Sequence, residues 1–254
     1  MARNSPIEWT DHTFNPWWGC AKVSPGCQNC YAERLSTRYG HDVWGPGATR
    51  RTFGDKHWKD PLRWEADAIR RGTLARVFCA SMADVFEKDA PKDEQARLWV
   101  LIEETPHLQW LLLTKRPERI TRVVPAAWLK TPRPNVWYGT SVESKEYVTR
   151  IRELRKVPAA VRFLSVEPLL GPIPKLPLVG IHWVIVGGES GGGARVMNAE
   201  WAQQIRDRCA KRGVPFFFKQ WGQFDSSGVR QRSKHAAGRT LDGRKWDELP
   251  AVVR

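Results

Sequence analysis

Cys20, Cys27 and Cys30 lie close together within the stretch Trp17–Glu33, with six residues between the first two and two between the last two. Thiolates are soft donors and suit zinc or iron–sulfur clusters. The Cys-x-x-Cys pair can place two sulfurs on one site, and Ser24-Pro25-Gly26 supplies a turn that swings the chain back. Three ligands are one short of a closed tetrahedron. Structural zinc closes with four protein ligands, whereas a reactive centre keeps one position open. His12 would be the fourth ligand of a closed zinc site. Cys79, in the apolar run Val77–Ala80, and Cys209, in a helical stretch, read instead as small buried hydrophobes. An odd total of five cysteines argues against a disulfide framework, as does Met1–Glu8, which lacks the apolar core of a secretory signal. No apolar run is long enough to span a bilayer, so a cytoplasmic protein with no membrane partner is expected.

The elements that must position the cysteines follow a repeating pattern. Apolar runs predict strands at Ile7–Phe14, Arg76–Ala80, Gln109–Leu113, Asn135–Gly139, Val161–Ser165, Trp183–Val186 and Pro215–Phe218. Continuous apolar runs mark strands buried on both faces of a parallel sheet. Helices are expected at Tyr31–Tyr39, Pro61–Arg71, Lys92–Glu104, Ser144–Lys156 and Asn198–Arg212, the last capped by Asn198 and ended by Gly213. The predicted fold is α/β, a partial or closed TIM-like barrel of six or seven βα units. Residues 1–224 would form it, with the cysteine loop at 15–33. Residues 225–254 would be a basic C-terminal extension with a small hairpin turning at Asp242-Gly243.

Polar residues follow nearly every predicted strand. They include Ser81 and Asp84, Thr114-Lys115-Arg116, Glu143, Ser165 and Glu167, Gly187-Gly188-Glu189, and Lys219. In a βα barrel these positions form the C-terminal rim, where active sites lie. The cysteine loop follows the first strand and would open on the same rim. The glycine-rich run Gly187–Gly193 lets backbone N–H groups approach an anion or a cofactor.

The chain carries 41 basic and 27 acidic residues, a net charge of +14. Such an excess favours a polyanionic partner, most simply nucleic acid. Arg50, Arg51 and Lys56 in the irregular segment 41–60, and Lys115, Arg116 and Arg195 on the rim, are the candidate phosphate contacts. Fourteen tryptophans are far above expectation. Trp44 and Trp58 would stack on an exposed base, or pack a core.

Several motifs carry a resemblance: Asn15-Pro16-Trp17 through Glu33, Leu113–Pro117, Ser165–Pro172, Val186–Gly191 and Phe216–Gly222. They resemble a family of phage- and prophage-encoded three-cysteine proteins, similar to the spore photoproduct lyase branch of the radical S-adenosylmethionine superfamily. The resemblance implies a radical SAM-type barrel and a 4Fe-4S cluster held by Cys20, Cys27 and Cys30. It also implies S-adenosylmethionine bound at the fourth iron and cleaved reductively, and an electron donor for the cluster. Ser81, Asp84, Ser165, Glu167, Gly187, Gly188 and Glu189 are then the expected cofactor contacts; no catalytic residue is assigned. Three features depart from the superfamily's usual pattern: Asn29 stands just before the third cysteine where an aromatic residue is usual, with Tyr31 following instead, and two more concern spacing and place. Six residues stand where three are usual between the first two cysteines, and Gly187-Gly188-Glu189 follows a late strand rather than the second. The expected function is a radical enzyme modifying or repairing nucleic acid. The alternatives are a non-catalytic metal- or cluster-bearing nucleic-acid-binding protein, and a radical enzyme acting on a peptide or small molecule.

Overall fold

The computed structural model describes residues 2–3 and 5–251. Residues 252–254 of the expected C-terminal extension lie outside the described residues. Eight strands form one sheet in chain order: β1 (Ala2–Arg3), β2 (His12–Phe14), β3 (Ala75–Cys79), β4 (Leu108–Thr114), β5 (Val136–Ser141), β6 (Val161–Val166), β7 (Trp183–Gly187) and β8 (Phe216–Gln220). β1 runs antiparallel to β2, and β2–β8 are parallel. Thr13 pairs with Phe78 and Phe78 with Leu111; later, Leu164 pairs with Val184 and Ile185 with Phe217. Every residue of β5 and β7 is buried, as strands covered on both faces require. The helices are α1 (Tyr31–Arg38), α2 (Asp55–Arg71), α3 (Lys92–Glu104), α4 (Ile120–Val123), α5 (Ala126–Lys130), α6 (Thr149–Arg155), α7 (Ala199–Arg212) and α8 (Lys234–Ala237). The fold is α/β, of the partial TIM-like barrel class expected from the strand pattern.

The local signals that place these elements are mostly visible. Asn198 Oδ1 accepts a hydrogen bond from the Glu200 N–H at 2.9 Å and caps α7, and Gly213 ends it in the left-handed region at φ 63°. Two elements, α2 and β2, differ from expectation. α2 begins at Asp55, so Pro61 sits inside the helix rather than at its first turn. An interior proline forgoes one backbone hydrogen bond. Here Trp58, Pro61, Trp64, Glu65 and Ala68 form the buried face, and their packing offsets that loss. β2 is only three residues long, because the chain before it turns: the Thr10 N–H donates to Ile7 O at 3.1 Å. No helix stands between β6 and β7 among the described residues, where Pro168, Pro172, Pro174 and Pro177 interrupt the segment.

The chain divides into two compact units. The first comprises Met1–Lys22, Ala32–Tyr138 and Val157–Ala160. Its core is aromatic: Trp9 packs on Phe78 with ring centroids 4.6 Å apart, Phe14 on Trp58 at 5.2 Å, and Trp99 on Trp128 at 5.4 Å. Most of the tryptophans are thus core residues. Trp58 is only 3% exposed, with the Arg97 guanidinium 4.6 Å from its ring centroid, so it is not available to stack on a base.

The second unit comprises Val23–Tyr31, Gly139–Lys156 and Val161–Arg254. Trp183, Phe163, Phe216 and Phe218 fill its core. Residues after 240 run beside β8: the Phe218 N–H donates to Trp246 O at 2.9 Å, and Trp183 Nε1 donates to Glu248 O at 2.8 Å. Asp242 and Gly243 both have positive φ, 51° and 76°, and Leu241 pairs with Arg244 across the turn. No described helix is long and apolar enough to cross a membrane.

Close packing inside the second unit is testable at Gly139 on β5. A Cβ there would lie 2.2 Å from the Phe163 ring on β6. Gly139→Ala is expected to lower stability by about 1–3 kcal/mol, read from urea midpoints at unchanged m. Adding Phe163→Leu should recover part of the loss, giving less than the sum of the two single changes.

Candidate functional site: the cysteine loop and the strand ends

None of the five cysteines is in a disulfide; Cys20, Cys27 and Cys30 are half-buried, whereas Cys79 and Cys209 are buried. Burial raises the Cys79 thiol above its ordinary value and pushes Cys209 up to about 12, as for inert core thiols. Cys20 belongs to the first unit, and Cys27 and Cys30 to the second.

In the first unit, backbone and side chains from the strand ends hold the segment around Cys20. The Gly19 N–H donates to Met82 O at 3.0 Å, and the Ala21 N–H to Glu87 Oε2 at 3.1 Å. Arg116, just past β4, donates from Nη2 to Ala21 O at 2.6 Å and from Nη1 to Asp84 Oδ2 at 2.8 Å, with Cys20 Sγ 3.8 Å from Nη1. Asp84 is buried and also accepts from Thr114 Oγ1 at 2.8 Å and the Phe86 N–H at 3.0 Å. Burial, reinforced by Asp84 and Glu87, pushes the Cys20 thiol well above its ordinary range, while Arg116 works the other way. Asn15, at the end of β2, donates to Ser81 Oγ at 3.1 Å and accepts from the Met82 N–H at 2.7 Å.

Arg50 departs from its expected role. Its guanidinium is 1% exposed and forms a two-pronged pair with Glu87, Nε–Oε1 2.7 Å and Nη2–Oε2 3.0 Å. Its Nη1 donates to the carbonyls of Val43, Gly45 and Ala48. A group so enclosed does not meet phosphate at the surface; it organises segment 43–50. Arg116 is similarly buried. Arg51, Lys56 and Lys115 are half-buried or exposed. His12 stacks on Trp64, rings 4.4 Å apart and nearly parallel, so it packs against α2 rather than standing in the cysteine loop.

In the second unit, the Cys27–Cys30 segment is tied to the loops after β5 and β7. Ser24 Oγ donates to Glu143 Oε1 at 2.7 Å, and Glu143, 1% exposed, accepts from Arg150 Nη1 at 2.8 Å. Asn29 Nδ2 donates to Glu189 Oε2 at 3.1 Å and Gly193 O at 2.6 Å. Arg195 closes on Glu189 from Nε at 2.8 Å, from Nη2 at 2.6 Å and from its backbone N–H at 2.9 Å, and Nη2 donates to Pro25 O at 2.9 Å. Burial acts to raise the Glu189 carboxyl. The Arg195 and Asn29 hydrogen bonds outweigh it and hold the group below its ordinary value. Arg195, expected to contact a polyanion, is thus engaged as an internal brace. Glu167 is paired with Lys219 Nζ at 2.7 Å, and Ser165 is buried on β6. Gly188 has a packing reason to be glycine: a Cβ there would lie 1.9 Å from Trp221 O.

Glu87, Arg150 and Asn29 were not assigned as site residues from the sequence. Their signal, a carboxylate or amide many residues from its arginine or loop partner, carries no fixed spacing. Among the described residues, no group of three or more His, Cys, Asp or Glu side chains is gathered so as to hold a metal ion. The donor set itself, three half-buried cysteines on one loop with no disulfide among them, is chemically suited to an iron–sulfur cluster.

The chain belongs to the protein family described as "Protein of unknown function (DUF5131)", which matches residues 4–250. None of the curated proteins matches it. Among solved structures, it is similar to spore photoproduct lyase. Against that lyase complexed with dinucleoside spore photoproduct, the TM-score is 0.51 at 13% identity, covering 82% of this chain and 63% of the lyase. A tyrosine-to-phenylalanine mutant gives 0.51 at 12% identity, and a cysteine-to-serine mutant 0.50 at 13%, with the same coverage. The likeness is one of fold, and the chain spans less than two thirds of the lyase.

Two outcomes test this arrangement. Arg50→Ala leaves Glu87 buried without its partner and is expected to cost about 3–5 kcal/mol, measured by denaturant unfolding. Glu189 has a lowered folded-state pKa, so its contribution is present above the unfolded-state value and is lost as pH falls through the folded one. Stability should therefore drop in mild acid, and Glu189→Gln should flatten that part of the pH–stability curve.

Proposed function

We propose that this protein is a radical S-adenosylmethionine enzyme that modifies or repairs nucleic acid, with Cys20, Cys27 and Cys30 holding a 4Fe-4S cluster. The observation that carries the reading is the set of three half-buried cysteines, none in a disulfide, on the loop that follows the first parallel strand. The spore photoproduct lyase fold supports it, and so does the +14 charge, which favours a polyanionic substrate. A phage or prophage setting would agree with the sequence resemblance.

When bound, the cluster would supply the electron for reductive cleavage of the cofactor, drawn from an external electron donor. The chain's own part is to hold the loop and exclude water. Arg116 braces the backbone beside Cys20, and the Glu143–Ser24 and Glu189–Asn29 bonds brace the segment bearing Cys27 and Cys30. Ser81, Ser165, Glu167, Gly187 and Gly188 are proposed to line the cofactor's place. Asp84 and Glu189, expected with them, act as positioning residues through Arg116 and Arg195.

Anaerobic reconstitution followed by iron and sulfide analysis tests the reading. About four irons per chain are expected, with the broad visible absorbance of a cysteine-ligated cluster. Cys20→Ala, Cys27→Ala and Cys30→Ala should each lose the cluster, while Cys79→Ala and Cys209→Ala keep it. The loaded, reduced protein should release 5′-deoxyadenosine from S-adenosylmethionine. Stoichiometric zinc with no iron would instead favour a non-catalytic metal-bearing protein.

A further inference from the structure

The first unit carries a cluster of aromatic and basic side chains that the cysteine-loop bracing does not use. Trp18 lies two residues before Cys20, and its backbone exchanges two hydrogen bonds with Arg51, Trp18 N to Arg51 O at 2.9 Å and Arg51 N to Trp18 O at 3.0 Å. This bridge fixes how both side chains are presented. The Arg51 guanidinium lies 4.8 Å from the Trp18 ring centroid and 4.9 Å from that of Phe53. Phe53 stacks in turn on His57, rings 4.2 Å apart and 9° from parallel, and His57 Nε2 is held at 2.8 Å by Asn15 O. Tyr39, at the end of α1, places its ring 6.2 Å from Trp18 and is 62% exposed.

None of Trp18, Tyr39, Arg51, Phe53 and Lys56 is buried. Among the described residues no carboxylate pairs with Arg51 or Lys56. Beside Phe53 and Lys56 opens a cleft of about 500 Å³, lined also by Gly54, Asp55, His57 and Asp60. Its two acids are taken up elsewhere, Asp55 by Arg97 at 2.7 Å and Asp60 by Arg63 at 2.8 Å. The local surface is therefore cationic and aromatic.

We propose that Trp18, Tyr39, Arg51, Phe53 and Lys56 form a docking platform for single-stranded nucleic acid. The exposed ring of Tyr39 and the half-buried ring of Trp18 offer surface to the π-face of any base, accessible only where the strand is unpaired, while Phe53, stacked on His57, holds the Arg51 guanidinium in place. Lys56 and Arg51 meet the phosphates. The excess positive charge of the chain draws the strand in. The proposal rests on the nucleic-acid half of the function proposed above and is independent of cluster loading. It moves the contact surface from Arg50 and Trp58, which are enclosed, to neighbours that are open.

The test is fluorescence anisotropy with the full chain and a labelled single-stranded DNA about 12 nucleotides long, against the same sequence annealed as a duplex. Trp18→Ala and Phe53→Ala should each weaken single-strand binding about tenfold, and Trp18→Phe should restore most of it. Arg51→Glu and Lys56→Glu should weaken binding across sequences and flatten its salt dependence. Should Trp18→Ala unfold, the exposed sites give the answer through Tyr39→Ala and Lys56→Glu. Wild-type affinity in the folded variants, or equal binding of duplex insensitive to the aromatic changes, overturns the platform alone. A wild-type chain that binds neither probe at low salt overturns both the platform and the nucleic-acid reading, while the iron analysis still decides the cluster.

Discussion

Four carboxylates at the strand ends are almost completely removed from water, and each is closed by an arginine: Asp84 by Arg116, Glu87 by Arg50, Glu143 by Arg150 and Glu189 by Arg195. An unpaired charge in such surroundings is costly, so each pair stands or falls together. Their benefit is not stability as such. Replacing a buried ion pair with well-packed apolar groups is often neutral or better. What the pairs supply is direction. A carboxylate has several acceptor positions and an arginine several donors in a fixed fork, so the surplus capacity grips neighbouring backbone.

The backbone that is gripped is the cysteine loop. Apart from the short helical turn Pro25–Cys27, residues 19–30 have no helix or strand to satisfy their polar groups. Ala21 is held from both sides, its N–H by Glu87 and its carbonyl by Arg116. Pro25 O is held by Arg195, and Asn29 spans Glu189 and Gly193 O. The residues after β3, β4, β5 and β7 thus substitute for secondary structure. Within each unit the loop segment can be irregular because parallel strands deliver polar residues to the ends from which that segment is held.

This division explains what was legible in the sequence. Strands and their polar followers were visible because each is local: a run of Val, Ile, Leu and Phe, then a polar residue. α3 and the caps of α7 were placed for the same reason. α2 was begun too late because proline marks a helix start by local rule, while the apolar face from Trp58 to Ala68 outweighed that rule through packing. Arg50 was misplaced for a related reason. Nothing within ten residues of it on the chain shows that Glu87, 37 residues away, will enclose it. Ionic partners have no periodicity, so a surface arginine and a buried one look alike in a sequence.

The same point bears on the net charge. Each buried pair is neutral, so the four of them remove as many positive as negative groups, and the excess of fourteen positive charges falls on the rest of the molecule. Net charge therefore remains a sound guide to the class of partner, because it is insensitive to which residues are sequestered. It is a poor guide to which residues meet that partner. Of the arginines nearest the cysteine loop, three, Arg50, Arg116 and Arg195, are committed to carboxylates. Arg51, adjacent to the most enclosed of these, rests its guanidinium against two aromatic rings instead. One step along the chain turns the side chain from an internal brace to an open cation. That difference comes from the backbone bridge between Trp18 and Arg51, a tertiary contact that neither composition nor motif spacing contains.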